Sequence, residues 1–230
     1  GVSIGATLYQ YYKDYKNTKR FQITHNYFGP SYTNLEISDI LASFKIKGKK
    51  YNNIEKIVAK KVVQGKLIGW FQGQMEFGQR ALGNRSIIAD PRLKGVKDKL
   101  NLAVKFREKF RPFAPAVLEE KANDYFDLPK NVKVPFMECV YPVKKEKQKH
   151  IPSVVFVDGS GRLQTVSKKT NPRFHKLIKE FDKLTGIPII INTSFNLNGE
   201  PIVCTPADAI KTFFSCGLDV LVLENWLIEK

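Results

Sequence analysis

Three glycines and two arginines stand close together in the middle of the chain: Gly73, Gly78 and Gly83 bracket Arg80 and precede Arg85. Glycine lets backbone N–H groups approach an anion closely, and arginine supplies positive charge with a rigid fork of donors. The spacing differs from a Walker loop, which requires Gly-Lys-Ser/Thr, and from a Rossmann fingerprint. The pattern indicates an anion-binding loop of another kind; the alternative is a glycine-rich surface turn.

The charge distribution points to the same segment. The chain of 230 residues carries 38 basic and 22 acidic residues, a net charge of +16. Residues 1–115 hold 22 of the basic and 8 of the acidic residues, which leaves 16 and 14 for residues 116–230. Five of the eight arginines lie between Arg80 and Arg111, where ten basic residues face three acidic ones. Structural ion pairs cannot neutralise this window, so we expect an anion to bind there, whereas the many lysine runs are typical of solvated faces.

Three further segments could contribute. Lys105 and Arg111 flank a short charged stretch, which taken alone is typical of a solvated face. Asp158-Gly-Ser-Gly-Arg162 places an arginine at a turn, although a plain hairpin is the alternative. Asn192 and Ser194 follow an apolar strand, and open α/β sheets bind ligands at such strand ends. Their side chains suit hydrogen bonds to a phosphate, ribose or base, and an Asx turn is the alternative.

The spacing of the cysteines and histidines argues against a metal site and against a nucleophilic thiol. Cys139, Cys204 and Cys216 form no Cys-x-x-Cys pair, and the three histidines lack metal-ligand spacing. No base is placed to activate a cysteine, so we expect no nucleophilic thiol. An odd number of scattered cysteines favours a reducing cytoplasm over a disulfide framework.

The apolar pattern predicts an α/β protein. Helical spacing predicts a helix capped by Ser38 and others near 54–62, 94–105, 174–184 and 206 onward. Short apolar runs predict strands near 67–71, 85–89, 111–118, 154–157, 163, 187–191 and 220–223, the last of them ending the sequence. The run 144–150 is predicted to be an exposed loop. No stretch approaches the ~18 apolar residues of a membrane span, and no signal peptide opens the chain, so we expect a soluble protein without a membrane partner.

Four motifs then appear in a fixed order between residues 69 and 223: EFGQRALGNRSIIADPR, FRPFAPAVLEE, VDGSGRLQTV and TGIPIIINTSFNLNGEPIVCTPADA. Together they resemble the carboxy-terminal region of the NodU/CmcH carbamoyltransferase family. The resemblance implies a two-part enzyme. An amino-terminal actin-like (ASKHA) domain transfers a carbamoyl group to a hydroxyl at a transition-metal site. A carboxy-terminal YrdC-like domain, a twisted mixed α/β (α+β) sheet with flanking helices, first makes carbamoyl-adenylate from carbamoyl phosphate and Mg²⁺-bound ATP.

The resemblance also implies a division of this chain. Residues 1–34 are similar to the closing helix and exit segment of the actin-like domain, and residues 35–230 to the adenylate-forming domain. The opening Gly1 without a methionine suggests a chain cut from a longer protein, and the transition metal would belong to the missing domain. That domain, with ATP and carbamoyl phosphate, would be the partner of this chain.

Site residues follow from the same motifs. The resemblance implies a cationic site with the catalytic residues Lys105, Arg111 and Arg80. The substrate- and nucleotide-binding residues that it implies are Arg162, Asn192, Ser194, Arg85, Ser86 and Gly83. Arg80 would face the phosphates, and Lys105 with Arg111 would hold carbamoyl phosphate and ATP. Gln79 stands where the family more often has proline, which concerns the rigidity of the loop rather than its charge.

Two other interpretations stay open. A pI near 9.7 suits a nucleic-acid-binding module, whose affinity falls steeply with salt. Against it, the arginines gather in glycine loops rather than on a helix face or an aromatic-lined strand, so we consider nucleic acid the weaker candidate. The other is a fragment that keeps the fold but lacks activity without its partner domain.

Overall fold

The computed structural model of the protein describes residues 1–16 and 18–230. Its α-helices are α1 (Val2–Asp14), α2 (Asn34–Ser43), α3 (Ile54–Val63), α4 (Val96–Ala103), α5 (Ala122–Tyr125), α6 (Lys145–Gln148), α7 (Pro172–Thr185) and α8 (Pro206–Phe214). Two short 3-10 turns cover Glu119–Lys121 and Pro152–Val154. Among the described residues, no helix is both long and apolar enough to cross a membrane.

The strands form a mixed sheet, as the sequence predicts. They are β1 (Lys49–Lys50), β2 (Ile68–Phe71), β3 (Arg85–Ala89), β4 (Ala114–Leu118), β5 (Tyr141–Pro142), β6 (Ser160–Gly161), β7 (Gln164–Val166), β8 (Ile189–Ser194), β9 (Val220–Leu223) and β10 (Trp226–Glu229). Eight of them make one sheet in the order β1-β10-β9-β2-β3-β8-β4-β7, and β5 pairs with β6. The pairs β2/β9 and β4/β7 are parallel, and the other pairs are antiparallel.

Helices cover the central strands, which explains their continuous apolar sequences. Every residue of β2, β3, β4 and β9 is buried, so these strands show apolar runs instead of the alternation of a half-exposed sheet. The helix α7 packs against α3 and against β8 and β4, and α8 packs against β9 and β2. The core lies between these helices and the sheet.

Local sequence signals define the two helices nearest the central strands. The side chain of Asn171 accepts a hydrogen bond from the Phe174 amide, Pro172 occupies the first turn of α7, and Gly186 ends it in a left-handed conformation. The helix α8 begins with a capping box between Thr205 and Asp208, followed by Pro206 in the first turn. These ends match the predicted ones.

Several predicted elements differ from the structure. Thr33, not Ser38, caps α2, because a capping box with Glu36 begins the helix earlier. The strand predicted at 154–157 is absent from the described residues: Pro152 opens a 3-10 turn there, and Val157 is fully exposed. The last third also contains β10, which the sequence analysis missed, and the predicted loop 144–150 contains α6.

Strand directions bring the chemically interesting segments to one edge of the sheet. β4 runs antiparallel to β8, with Ala114 opposite Asn192, and parallel to β7. The amino ends of β4 and β7 therefore lie at the same edge as the carboxyl end of β8. β3 is also antiparallel to β8, and Ser86 pairs with Ser194, so the glycine-rich loop before β3 reaches this edge too. We refer to residues 72–84 as the glycine loop.

Gly83 fits the glycine loop against α7. Its φ of +109° lies in a region that favours glycine, and an added Cβ would lie 2.3 Å from Cδ1 of Phe174.

Gly83→Ala should lower the free energy of unfolding by about 2–4 kcal/mol, because it combines backbone strain with overpacking. Urea unfolding measures this change. Gly95→Ala is the matched control, since nothing lies within 4 Å of its Cβ position, and it should change stability by less than about 1 kcal/mol. Equal effects of the two substitutions would contradict this account.

Candidate anion-binding site

Lys105 follows α4 in a buried position, with 4% of its surface exposed. Its Nζ lies 2.6 Å from the Ser194 carbonyl oxygen and 3.2 Å from Ser194 Oγ. The carbonyl oxygen and Oδ1 of Asn196 lie 3.1 and 2.8 Å from the same nitrogen. Burial, reinforced by the charge of Arg107, lowers the pKa of Lys105 to about 7. The ammonium group therefore titrates close to neutral pH.

A turn at the carboxyl end of β8 supplies these oxygens. Ser194 Oγ donates to Asn196 Oδ1 at 2.7 Å, and Asn196 Nδ2 donates to the Glu200 carbonyl at 2.7 Å. The sequence analysis left two interpretations of this segment, a ligand contact or a local turn. The structure shows a hydrogen-bonded turn whose oxygens face Lys105, so Ser194 lies beside a charge that could bind an anion.

Arg107 is a member of the site that the sequence analysis did not select. Its Nε donates to Oδ1 of Asn101 at 2.8 Å, and its guanidinium carbon lies 4.9 Å from the ring centroid of Phe113. Burial and then repulsion from Arg111 lower its pKa. Its one signal in the sequence is its place between Lys105 and Arg111, in a charged run that is ordinarily a solvated face.

A single buried amide organises this segment. The side chain of Asn101 is fully buried in α4, and its Nδ2 donates to the carbonyl oxygens of Lys109 and Arg111 at 3.2 and 3.0 Å. Its own carbonyl oxygen accepts the Arg107 backbone N–H at 3.0 Å. The segment 105–111 is therefore fixed to α4 by Asn101, another residue that the sequence analysis missed.

Arg162 and Arg80 are the remaining cations of the site. Arg162 is half-buried, and its Nε is buried without a hydrogen-bond partner among the described residues. Burial lowers the pKa of Arg162 first, and the charges of Arg80 and Arg107 lower it further. We call Arg80, Lys105, Arg107, Arg111 and Arg162 the cationic cluster.

The cationic cluster has far more positive than negative charge. Within the described part of the chain, the one carboxylate that pairs with it is Glu108, 2.9 Å from Nε of the exposed Arg111. Cations held together without counter-charges are arranged to bind an anion, and several of them suit an anion with more than one charge. Four of the five come from predicted site positions, and Arg107 is the addition.

Arg85 lies in the interior of the protein. It is fully buried, stacks 3.6 Å from the ring centroid of Phe71, and donates to backbone carbonyls, among them those of Gln72 at 2.8 Å and Pro30 at 3.0 Å. Burial lowers its pKa to about 10. The guanidinium thus holds neighbouring segments together, and the substrate contact that the resemblance implies stays a prediction.

Gly83, Ser86 and Asn192 are also interior residues. Gly83 is a buried residue of the glycine loop, and its N–H donates to the Oγ of the buried Ser86 at 3.0 Å. Asn192 donates from Nδ2 to the Ala81 carbonyl at 3.1 Å and to Oε1 of Gln164 at 2.8 Å. Ser86 and Asn192 thus bond to the glycine loop, and the substrate contacts implied for all three residues stay predictions.

A buried carboxylate, which the sequence analysis did not single out, shapes the glycine loop. Oε1 of Glu76 accepts the backbone N–H groups of Leu82 at 2.6 Å and Asn84 at 2.8 Å. Burial raises the pKa of Glu76, although these two hydrogen bonds and the charge of Arg85 oppose the shift. Glu76 thus closes the loop on itself around Arg80.

The described residues offer no cage for a metal ion. They contain no group of three or more His, Cys, Asp or Glu side chains that could hold one. The free cysteines Cys139, Cys204 and Cys216 are exposed or half-buried.

Comparison with known proteins identifies relatives across the chain. The family model described as Carbamoyltransferase C-terminus matches residues 59–230. Nodulation protein NolNO of Sinorhizobium fredii is 43% identical over 234 residues, which cover all of this chain and 34% of that protein. Nodulation protein NolO of Bradyrhizobium diazoefficiens is 42% identical over all of this chain and 43% of its own length. Uncharacterized protein sll1178 of Synechocystis is 40% identical over all of this chain and 42% of its own length. The chain thus spans less than half the length of these relatives.

Solved structures share the fold. Full-length HypF, in a phosphate- and nucleotide-bound form, matches 76% of this chain and 25% of its own with a TM-score of 0.51 and 19% identity. Sua5 from P. abyssi, complexed with L-threonine, matches 74% of this chain and 51% of its own with a TM-score of 0.51 and 13% identity. The predicted YrdC-like fold is confirmed, whereas the assignment of residues 1–34 to an actin-like domain stays a prediction. With its family model matched over residues 59–230 and relatives such as NolNO and NolO aligned along its whole length, the chain belongs to the carboxy-terminal domain family of the NodU-type carbamoyltransferases.

Proposed function

We propose that this chain binds ATP and carbamoyl phosphate at the cationic cluster and converts them to carbamoyl-adenylate. The observation that carries the proposal is the cluster itself: five cations from three segments meet at one edge of the sheet, and a single carboxylate pairs with them in the described chain. Membership of a carbamoyltransferase family supports the choice of substrates.

The reaction suits the residues present. Water first cleaves carbamoyl phosphate to carbamate and phosphate. A carbamate oxygen then bonds to the α-phosphorus of ATP, and the bond from that phosphorus to pyrophosphate breaks, which leaves carbamoyl-adenylate. Every reacting group is anionic, so positioning and charge neutralisation can supply most of the catalysis. No covalent nucleophile is needed, in keeping with cysteines that show no activating base.

We assign roles within the cluster as the family resemblance implies. Lys105 and Arg111 hold carbamoyl phosphate and ATP, and Arg80 faces the phosphates of ATP from the glycine loop. Arg162, with its unpartnered Nε, and Ser194 complete the binding site. Mg²⁺ enters with the ATP phosphates and neutralises part of their charge.

Transfer to an acceptor hydroxyl is assigned to an amino-terminal partner. The relatives are longer than this chain, which aligns with 34% to 43% of their length. We propose that an actin-like domain in the full-length protein receives the adenylate and performs the transfer with its own metal. Free cysteines and ATP as substrate both fit a cytoplasmic location.

Removing one exposed cation tests the site without disturbing the core. Arg111→Ala should weaken ATP binding about 10- to 100-fold, because a charged hydrogen bond contributes about 1.5–3 kcal/mol. Isothermal titration with ATP and Mg²⁺, with and without carbamoyl phosphate, measures the loss. Lys47→Ala is the control, since it removes an exposed cation outside the cluster and should bind like the wild type. Unchanged affinity in Arg111→Ala would remove Arg111 from the site.

The same titration at two salt concentrations separates this proposal from nucleic-acid binding. ATP binding to a preformed site should depend only modestly on salt. An RNA-binding module would instead bind no nucleotide and lose RNA affinity steeply with salt, as phosphate contacts release counterions. The second result would overturn the proposal.

The low pKa of Lys105 predicts a pH dependence. Only the protonated amine attracts an anion, and a bound anion in turn raises the pKa of Lys105 above its free value of about 7. ATP affinity should therefore fall by up to about tenfold per pH unit as the pH rises above 7, and binding at pH 7 should take up about half a proton. Titrations in buffers of different ionisation enthalpy count that proton. Lys105→Met, checked for folding by thermal unfolding, should lose both effects, and an unchanged proton count would contradict this role.

A further inference from the structure

The segment before α2 is bonded to the glycine loop by backbone hydrogen bonds. The Gly29 N–H donates to the Met75 carbonyl at 2.9 Å, and the Met75 N–H donates to the Pro30 carbonyl at 2.9 Å. The Phe77 N–H donates to the Asn26 carbonyl at 2.7 Å. These bonds make a short antiparallel ladder outside the main sheet. We call residues 26–30 the connector.

Side chains add two anchors to the ladder. The hydroxyl of Tyr27 donates to the Leu82 carbonyl at 3.0 Å and accepts from Nδ2 of Asn171 at 3.1 Å. The buried guanidinium of Arg85 donates to the Pro30 carbonyl at 3.0 Å. Burial raises the pKa of Tyr27, so its hydroxyl stays protonated and keeps donating at neutral pH.

Arg80 lies between these attachments. The ladder holds the chain at 75–77 before it, and Tyr27 holds Leu82 after it. The charge of Arg80 contributes to the lowered pKa of Arg162, so the two cations repel each other. The connector holds the glycine loop on both sides of Arg80 through these hydrogen bonds.

We propose that the connector is the positioning element for Arg80, so that anion affinity at the cationic cluster depends on how residues 26–30 are held. The proposal rests on the proposed function, because it takes Arg80 as an anion-binding residue. Its consequence is that any movement of the chain before Asn26 reaches the site through backbone hydrogen bonds. The connector is then part of the site, although it lies outside the family match at residues 59–230.

Gly29 gives a specific way to loosen the ladder. An added Cβ would lie 2.8 Å from Cβ of Met75 and 3.0 Å from its carbonyl oxygen, the acceptor of the Gly29 N–H. Gly29→Ala therefore pushes the two segments apart without entering the core. Gly5→Ala in α1 is the matched control, because nothing lies within 4 Å of its Cβ position. Tyr27→Phe loosens the second anchor by an independent route.

The experiment is a double-mutant cycle on the full chain with Arg80→Gln. Gly29→Ala and Tyr27→Phe should each weaken ATP–Mg²⁺ binding about fivefold or more while both variants stay folded at the titration temperature, as thermal unfolding checks, and Gly5→Ala should bind like the wild type. In the Arg80→Gln background the same substitutions should add little further loss, because the residue through which they act is gone. Hydrogen exchange of the amides in 75–83 should become faster in both variants.

Two results would overturn the proposal. Unchanged exchange in 75–83 would show that the connector does not hold the loop. An undiminished loss of affinity in the Arg80→Gln background would show that the connector acts on something other than Arg80. Failure of the proposed function would give a different result, because the wild type would then bind no ATP. The exchange comparison would still decide in that case whether the connector holds the loop.

Discussion

Mutual repulsion among five cations at one edge of the sheet is the constraint that the surrounding structure must meet. Two of the cations that lie in the interior have neutral oxygens as partners rather than carboxylates: Lys105 has the turn after β8, and Arg107 has Asn101. Neutral partners hold the charges in place without cancelling them. The site therefore keeps its positive potential, at the expense of lowered pKa values for Lys105, Arg107 and Arg162.

Arg85 and the arginines of the cationic cluster have different surroundings. Arg85 gives its Nη donors to backbone carbonyls and stacks on an aromatic ring, so it joins the glycine loop to the connector. Arg162 lies beside other cations, and the charges of Arg80 and Arg107 lower its pKa. Membership of a motif does not separate the two cases, because EFGQRALGNR contains both Arg80 of the cationic cluster and the interior Arg85. Burial and the supply of nearby carbonyls separate them.

The sequence predicted most of the secondary-structure elements and their order, but it gave little information about polar contacts in the interior. Apolar runs predicted an α/β fold, and the family resemblance implied both the mixed sheet and a site with Arg80, Lys105, Arg111, Arg162 and Ser194. The sequence alone does not distinguish Arg107 from the residues of an ordinary charged run. What distinguishes it is its hydrogen bond to the Asn101 side chain, which is seen only in the folded loop. Glu76 was equally hidden, since its partners are backbone N–H groups. The strand predicted at 154–157 failed because apolar residues after a proline can line a 3-10 turn.

The position of β9 in the sheet has a consequence for synthesis of the protein. β9 lies between β10 and β2, and Val220 pairs with Ile68 across most of the chain length. The side chain of Asp219 likewise accepts the Leu67 backbone N–H at 2.8 Å across a separation of 152 residues. A nascent chain therefore cannot pair β2 with β9 until about 150 further residues have followed β2 out of the ribosome. Until then β2 presents an open apolar edge, which is exposed to aggregation.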